Sequence, residues 1–234
     1  MGRGAGGRFG AYIPPMNPEN PAFSDPTPDP DAEIRDRLAD AVAANATFEG
    51  WTGTAIAAAA RGLGLPEGEA GRLFPAGPLG VLEYLASRSD RRMVEDLEAA
   101  GVAGMKVTER IRTAVRLRLE KHSGEKEAAR RALALLAMPL NAGLALKILY
   151  RTVDAMWYAA GDQSVDFNFY TKRATLAGVY SATVLFWLND RSEGSAATWE
   201  FLDRRLDDVM KIEKLKSQIR AWPGARTRAG AARR

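Results

Sequence analysis

From Asp31 onward, apolar residues recur at three-to-four spacing: Ile34, Leu38, Ala41, Val42 and Phe48 share one face, and Asp31 stands where a helix would start. That pattern predicts a first amphipathic helix. Gly50 and Gly53 bracket Trp51, and the alanine-rich run Ala55 to Arg61 then predicts a short second helix, stopped by the Gly62 to Pro66 turn. Pro66, followed by Glu67 and Glu69, reads as the first turn of a third helix ending near Leu73-Phe74-Pro75. A fourth is expected from about Pro78 to Arg88. After a charged segment with Arg91 and Arg92, Val107, Ile111, Val115 and Leu119 line one side of a partly exposed helix. Three strongly apolar segments follow, Ala128 to Met138, Ala142 to Ala160 and Val165 to Leu188; without a polar stripe they predict central helices wrapped by others. The last stripe, Trp199, Leu202, Leu206, Val209, Ile212, Leu215 and Ile219, spans Thr198 to Arg220 and stops at Trp222-Pro223. No alternating strand pattern of useful length is present, so the expected class is all-α.

Composition divides the 234 residues further. Residues 1–30 hold seven of the twelve prolines and a Gly/Arg start, too little apolar surface to offset ordering entropy, and read as a disordered leader. The expected organisation is that leader, a helical head over 31–90, a helical core over 91–222 and a basic tail over 223–234. The formal charge of +4 is unevenly placed: residues 1–100 carry 9 Lys/Arg against 15 Asp/Glu, leaving 24 against 14 for the rest. No hydrophobic run follows the first arginines, so the chain reads as cytoplasmic, with a peripheral place on the inner membrane as an extension. Two uncharged stretches, Ala132 to Leu146 and Ala174 to Asn189, fall short at 15 and 16 residues of the roughly 18–20 a membrane span needs.

Much catalytic chemistry is missing. There is no cysteine, and His122 is the one histidine, so thiolate catalysis and multi-histidine metal cages are excluded. No P-loop, G-x-S-x-G elbow, H-E-x-x-H or Glu-x-x-His pair occurs. Gly2, Gly4 and Gly7 spell G-x-G-x-x-G without the strand before or the helix after that a dinucleotide site requires. His122, at a helix end, reads as a charge near the helix dipole rather than a general base. No cofactor is expected, and no enzyme.

Two constellations remain. The helices from Ile34 to Phe74 have helix-turn-helix proportions, and Thr54 to Leu65 with Leu73-Phe74-Pro75 and Leu79 resembles the DNA-binding head of TetR-like regulators. Its reading helix, Pro66 to Phe74, offers Arg72 as its one cation against Glu67 and Glu69, so DNA binding is not expected. The second lies around Asp154 to Arg173. Asp166, Phe169, Tyr170 and Arg173 share one helical face by their spacing, mixing aromatics with both charges. Two readings stand side by side: a core face with Asp166 and Arg173 paired at its rim, or a partner-binding hot spot. The neighbouring apolar helices must enclose something or each other, and an internal pocket lined by Leu149, Val153, Leu176, Val179, Tyr180, Thr183 and Phe186 is predicted.

The run Met138-Pro-Leu-Asn-Ala, with Thr152-Val-Asp154, Met156-Trp-Tyr158, Gly161-Asp162, Asp166-Phe-Asn-Phe-Tyr-Thr-Lys-Arg173 and Thr198-Trp-Glu-Phe-Leu202, resembles the family of the ninth accessory protein of coenzyme Q (ubiquinone) biosynthesis. The resemblance implies a TetR-like all-α bundle that holds isoprenoid quinone intermediates, has no known catalytic activity and assists the di-iron demethoxyubiquinone hydroxylase. It implies a partner-facing patch at Asp166, Phe169, Tyr170 and Arg173, with Phe169 where relatives often carry Trp. Eukaryotic members add a membrane-docking amphipathic helix where this sequence shows only Trp222-Pro223 and an Arg-rich tail. Lys211 to Arg234 holds eight Lys/Arg and one acid, Glu213, which suits either an anionic membrane surface or a solvated helix end. A homodimer is expected. The competing functions are a TetR-type ligand-responsive regulator, disfavoured by the acidic reading helix, and a small enzyme, disfavoured by the missing motifs.

Overall fold

The computed structural model describes residues 29–162 and 167–221, apart from the side chains of Ala103, 167–169, Met210 and 212–221. Among the described residues the regular elements are helical: α1 (Ala32–Glu49), α2 (Gly53–Gly62), α3 (Glu69–Leu73), α4 (Gly77–Ala99), α5 (Val107–Glu120), α6 (Lys126–Leu136), α7 (Ala142–Ala159), α8 (Phe167–Asn189) and α9 (Ala196–Ala221), joined by short 3-10 turns. The leader up to residue 28 and the basic tail lie outside the described residues.

The head packs α1, α2 and α3 against the start of α4. Leu38 and Val42 of α1, Ile56 and Ala59 of α2, Leu73 of α3 and Val81 of α4 form its buried cluster. The alanines of α2 let the helices approach closely, and Thr52 caps α2 by accepting a hydrogen bond from the Ala55 N–H at 3.1 Å. The third helix is shorter than the sequence pattern predicts. Pro66, Glu67 and Gly68 form a turn, with Gly68 at φ +82°, and α3 starts only at Glu69. A side chain at that φ would be strained, so the glycine places the turn.

α4 belongs to both halves. It runs 23 residues, through the charged segment that was expected to interrupt it, and the expected boundary at residue 90 falls inside it. Its N-terminal part packs in the head through Val81; its C-terminal part puts Met93 and Leu97 into the larger core, with Ile111 and Val115 of α5, Val153 and Met156 of α7, Leu176 and Trp187 of α8, and Leu202 of α9. The charges inside α4 stay because they are answered. Asp90 is fully buried, accepts from Thr152 Oγ1 at 3.0 Å and from Arg118 Nε at 3.0 Å, and pairs with Arg151 at 3.3 Å. This cluster joins α4, α5 and α7 across the centre of the molecule.

Two of the three apolar segments are not central. In α6 only Ala128 is buried, and in the first half of α7 Leu146 is 67% exposed, whereas Arg151 to Met156 are buried. Apolar composition marks these helices as needing cover; α4 and α5 cover only one side of α7.

Candidate functional site

The end of α7 and the start of α8 form a corner held by charge. Arg173 of α8 is buried, donates its Nε to Asp154 Oδ1 of α7 at 2.6 Å, and has Nη1 3.4 Å from Asp162 Oδ2 in the connection. Lys172 donates to Asp162 Oδ1 at 2.7 Å and lies 5.6 Å from the Trp157 ring centroid. Gly161, at φ +84°, turns the chain there, and a Cβ on it would meet Arg110 Nη1 at 3.1 Å. The Arg110 guanidinium donates to the carbonyls of Ala160 and Met105, closing the corner against α5.

Beside the corner, α5, α8 and α9 line a cavity, partly open to solvent, of about 320 Å³. Ile111, Leu176, Val179, Leu206 and Val209 form its apolar wall. Thr171, Lys172 and Thr175, in the first turns of α8, and Thr108, in the first turn of α5, supply polar groups, and Trp157 reaches in from α7. The Trp157 indole N–H is buried and has no hydrogen-bond partner among the described residues. The site is therefore apolar with convergent donors at one end, and its volume lies at the lower limit of about 300–1,000 Å³ typical of ligand sites.

Of the seven side chains predicted to line a pocket, Leu176 and Val179 face this cavity. The other five lie elsewhere. Val153 is buried in the core, with Leu149 packed against it. The Thr183 hydroxyl, fully buried, donates to the Val179 carbonyl at 2.8 Å. Tyr180 faces the central cluster of Arg118 and Asp90, and burial raises its pKa above the ordinary tyrosine value. Phe186 stacks on Phe201 of α9, ring centroids 4.6 Å apart, at the surface. The reason is that α7 turns Arg151 and Thr152 toward Asp90 on α4, so its apolar face does not pair with α8 around a shared void.

The predicted partner-facing set is split as well. Tyr170 is 68% exposed, whereas Arg173 is buried in its pairs with Asp154 and Asp162 and cannot present its charge outward. Asp166 lies outside the described residues, as does the side chain of Phe169. Tyr150 of α7 adjoins this surface. Burial raises its pKa, and the Asp154 carboxylate adds to the rise. Asp154 and Asp162 were legible in the sequence motif, but their contact with a residue 19 or 11 positions on was not.

A second cleft, of about 280 Å³, lies where the head meets α4, α5 and α6. His122 lines it, 3.1 Å from Ser89 Oγ and 3.0 Å from Glu125 Oε2. Burial and the neighbouring Arg118 push its pKa below the ordinary 6.5, so the ring is neutral at pH 7. It is a hydrogen-bonding bridge rather than the dipole-facing charge expected from its position. In the head, Arg72 makes a bidentate pair with Asp31 and also bonds Glu69. Among the described residues no group of three or more His, Cys, Asp or Glu could hold a metal ion, and no single helix is long and apolar enough to cross a membrane.

Comparison with known proteins adds three findings. Residues 142–213 match the family model described as COQ9. The chain is 33% identical over 222 residues to the mitochondrial ubiquinone biosynthesis protein COQ9 of Rattus norvegicus, covering 87% of this chain and 71% of that protein, and 32% identical over 217 residues to that of Homo sapiens, covering 90% and 68%. The Drosophila melanogaster protein of the same name is 35% identical over 189 residues, and the chain spans 58% of its length. By structure, a TetR transcriptional regulator from Nitrosomonas europaea ATCC 19718 superposes with a TM-score of 0.61 at 24% identity, covering 75% of this chain and 97% of the regulator. That likeness establishes the all-α TetR-like fold alone.

Proposed function

Because this chain belongs to the COQ9 family of ubiquinone biosynthesis proteins, we propose that it is a non-catalytic, lipid-binding accessory protein: it encloses part of an isoprenoid quinone intermediate and assists the demethoxyubiquinone hydroxylase. The observation that carries the reading is the cavity between α5, α8 and α9, apolar along Ile111, Leu176 and Leu206 and ending at Trp157, Lys172 and the α8 threonines. A prenyl chain suits the first part. The Trp157 N–H, which has no partner among the described residues, and the Thr175 hydroxyl suit quinone oxygens, which accept hydrogen bonds and carry no charge. Mass spectrometry of an organic extract of the purified protein tests this: a co-purifying prenylated quinone is expected, and Leu176→Trp, which fills the cavity, should abolish its recovery. A clean extract from the unaltered protein would sink the reading.

Tyr170 is the exposed anchor for the hydroxylase, held beside the buried Arg173 pair that sets the angle between α7 and α8. Tyr170→Lys places a charge where an aromatic anchor stood and should weaken capture of the hydroxylase at least tenfold, with an unaltered melting curve; Phe169→Lys is the companion variant. Undiminished capture by both would reject the patch. A second copy of the chain is the occupant we assign to the outer face of α8 and α9, where Leu185 is exposed and Phe186 and Phe201 stack at the surface; sedimentation should return a dimer. A ligand-responsive regulator is the weaker reading, since Arg72, the cation its reading helix would need, is held by Asp31 and Glu69.

A further inference from the structure

α6 and α7 meet at a bend of 92°, and the apex of that bend is apolar and bare. Leu140 is 98% exposed and Met138 55%, with Leu146 on the α7 arm. From Ala132 to Leu146 no residue is charged. Cations stand at both ends of that stretch: Arg130 and Arg131 on α6, and Lys147 on α7, all exposed.

The spacing is symmetrical. Arg131 is seven residues before Met138, and Lys147 seven after Leu140, which at 1.5 Å per helical residue makes each arm about 10 Å long. With the bisector of the bend perpendicular to a surface, the apex reaches roughly 7 Å beyond the cations, inside the depth of about 5–10 Å at which interfacial segments bury their apolar side while Lys and Arg remain among the head groups. Several polar groups near the apex are already paired. The one polar side chain in the stretch, Asn141, donates its amide to the Leu135 carbonyl at 2.8 Å. The Ala137, Met138 and Asn141 N–H groups donate to Leu133, Leu135 and Met138, and Pro139 has no N–H. A protein interface of ordinary kind calls for about one hydrogen bond per 100–200 Å², and the one polar side chain of this projecting corner, Asn141, already commits its amide N–H to the Leu135 carbonyl. Hydrocarbon requires none.

We infer that the α6–α7 corner is a membrane wedge: Met138 and Leu140 enter the outer part of an anionic bilayer leaflet, with Leu146 at the head-group level beside Arg130, Arg131 and Lys147 at the phosphates. The ion pairs of these cations with Glu127 and Glu83 are exposed, so lipid phosphates compete for that part of each head group at small cost, while Arg130 keeps its 2.7 Å bond to the Leu188 carbonyl and Arg131 its contact with the Phe48 carbonyl. The wedge lies at the start of the same α7 helix whose far end reaches the cavity through Trp157, and the inference stands whichever lipid that cavity takes.

The full chain contains no cysteine, so Leu140→Cys accepts a single environment-sensitive fluorophore. On vesicles of phosphatidylcholine with phosphatidylglycerol its emission should shift to the blue and be quenched by acyl-chain-labelled lipid; on phosphatidylcholine alone the shift should be smaller. Leu140→Glu should lower the vesicle-bound fraction at least fivefold in co-sedimentation while leaving the helical circular dichroism and melting curve unchanged. Equal co-sedimentation of Leu140→Glu and the unaltered chain would overturn the wedge and assign membrane contact to another surface, such as the basic tail. Loss of hydroxylase capture by Leu140→Glu with vesicle binding intact would likewise overturn it, and mark the corner as a protein interface.

Discussion

The head and the core have the same helical construction and opposite use of charge. In the head, Arg72 is half exposed, and its guanidinium is held by Asp31 and Glu69, so the short α3 faces solvent with its charge cancelled. In the core, Asp90, Arg151, Asp154 and Arg173 are buried and Arg118 is nearly so, and they fix how α4, α5, α7 and α8 lie against one another. The same ion pairs thus have different consequences. At the surface a pair removes a recognition group at little energetic consequence, whereas inside, where each charge has left water, a pair decides geometry. The proposed function accordingly rests away from the head, on the corner between α7 and α8 and the cavity between α5, α8 and α9.

That contrast breaks first at its most buried member. Asp90→Ala leaves Arg118 without its carboxylate and Arg151 with only Glu83 at 3.9 Å, and should cost about 3–5 kcal/mol. Thermal unfolding followed by circular dichroism should show a midpoint lower by roughly 10 °C. A shift of only a degree or two would mean that the core pairs are as dispensable as surface ones. Arg173→Ala comes next, at about 3 kcal/mol, because the buried Asp154 loses its 2.6 Å partner while Asp162 keeps Lys172. It should also weaken hydroxylase capture through Tyr170, an effect that adding Tyr170→Lys would not compound.

The junction between the two regions gives a smaller, pH-dependent effect. The folded-state pKa of His122 is below its ordinary 6.5, so the unfolded chain binds the proton more readily and protonation favours unfolding. The stabilisation contributed by the neutral ring is complete above pH 6.5 and is lost as the pH falls below it toward the folded-state value. His122→Gln keeps a hydrogen-bonding side chain without the titration, so its melting midpoint should fall less than that of the unaltered chain between pH 7 and pH 5.5. Parallel curves would show that His122 does not couple α4 to the turn before α6. The smallest effect belongs to the head: Arg72→Ala should leave the melting midpoint unchanged, and neither protein should give a sequence-selective, salt-sensitive gel shift. Selective DNA binding by the unaltered chain, lost in Arg72→Ala, would reverse the comparison.

The helical class, the order of the elements and the motif around Asp154 to Arg173 were legible because helical periodicity and turn residues are local properties. Leu38, Val42 and Ile56 in the head, and Ile111, Val115 and Leu119 on α5, fall on buried faces as their spacing requires. Continuity through charge was not legible. Asp90 and Arg88 look like the end of a helix until Thr152, Arg118 and Arg151 are seen around Asp90, and Asp36 and Asp40 around Arg88.

What the sequence determined by itself was therefore a set of helices, their apolar surfaces, and the absence of thiol chemistry, because these depend on residue type and on neighbours within two turns. Only the tertiary structure decided which apolar surfaces find cover. Composition does not distinguish Val153, buried against α4 and α5, from Leu146, two turns earlier on the same helix and open to solvent. Nor does it show that Arg173 turns inward to Asp154 while Tyr170, three residues before it, turns out. Burial is set by which helix arrives from a distant part of the chain, and α7 receives α4 on one side and no described helix on the other side of its first turns.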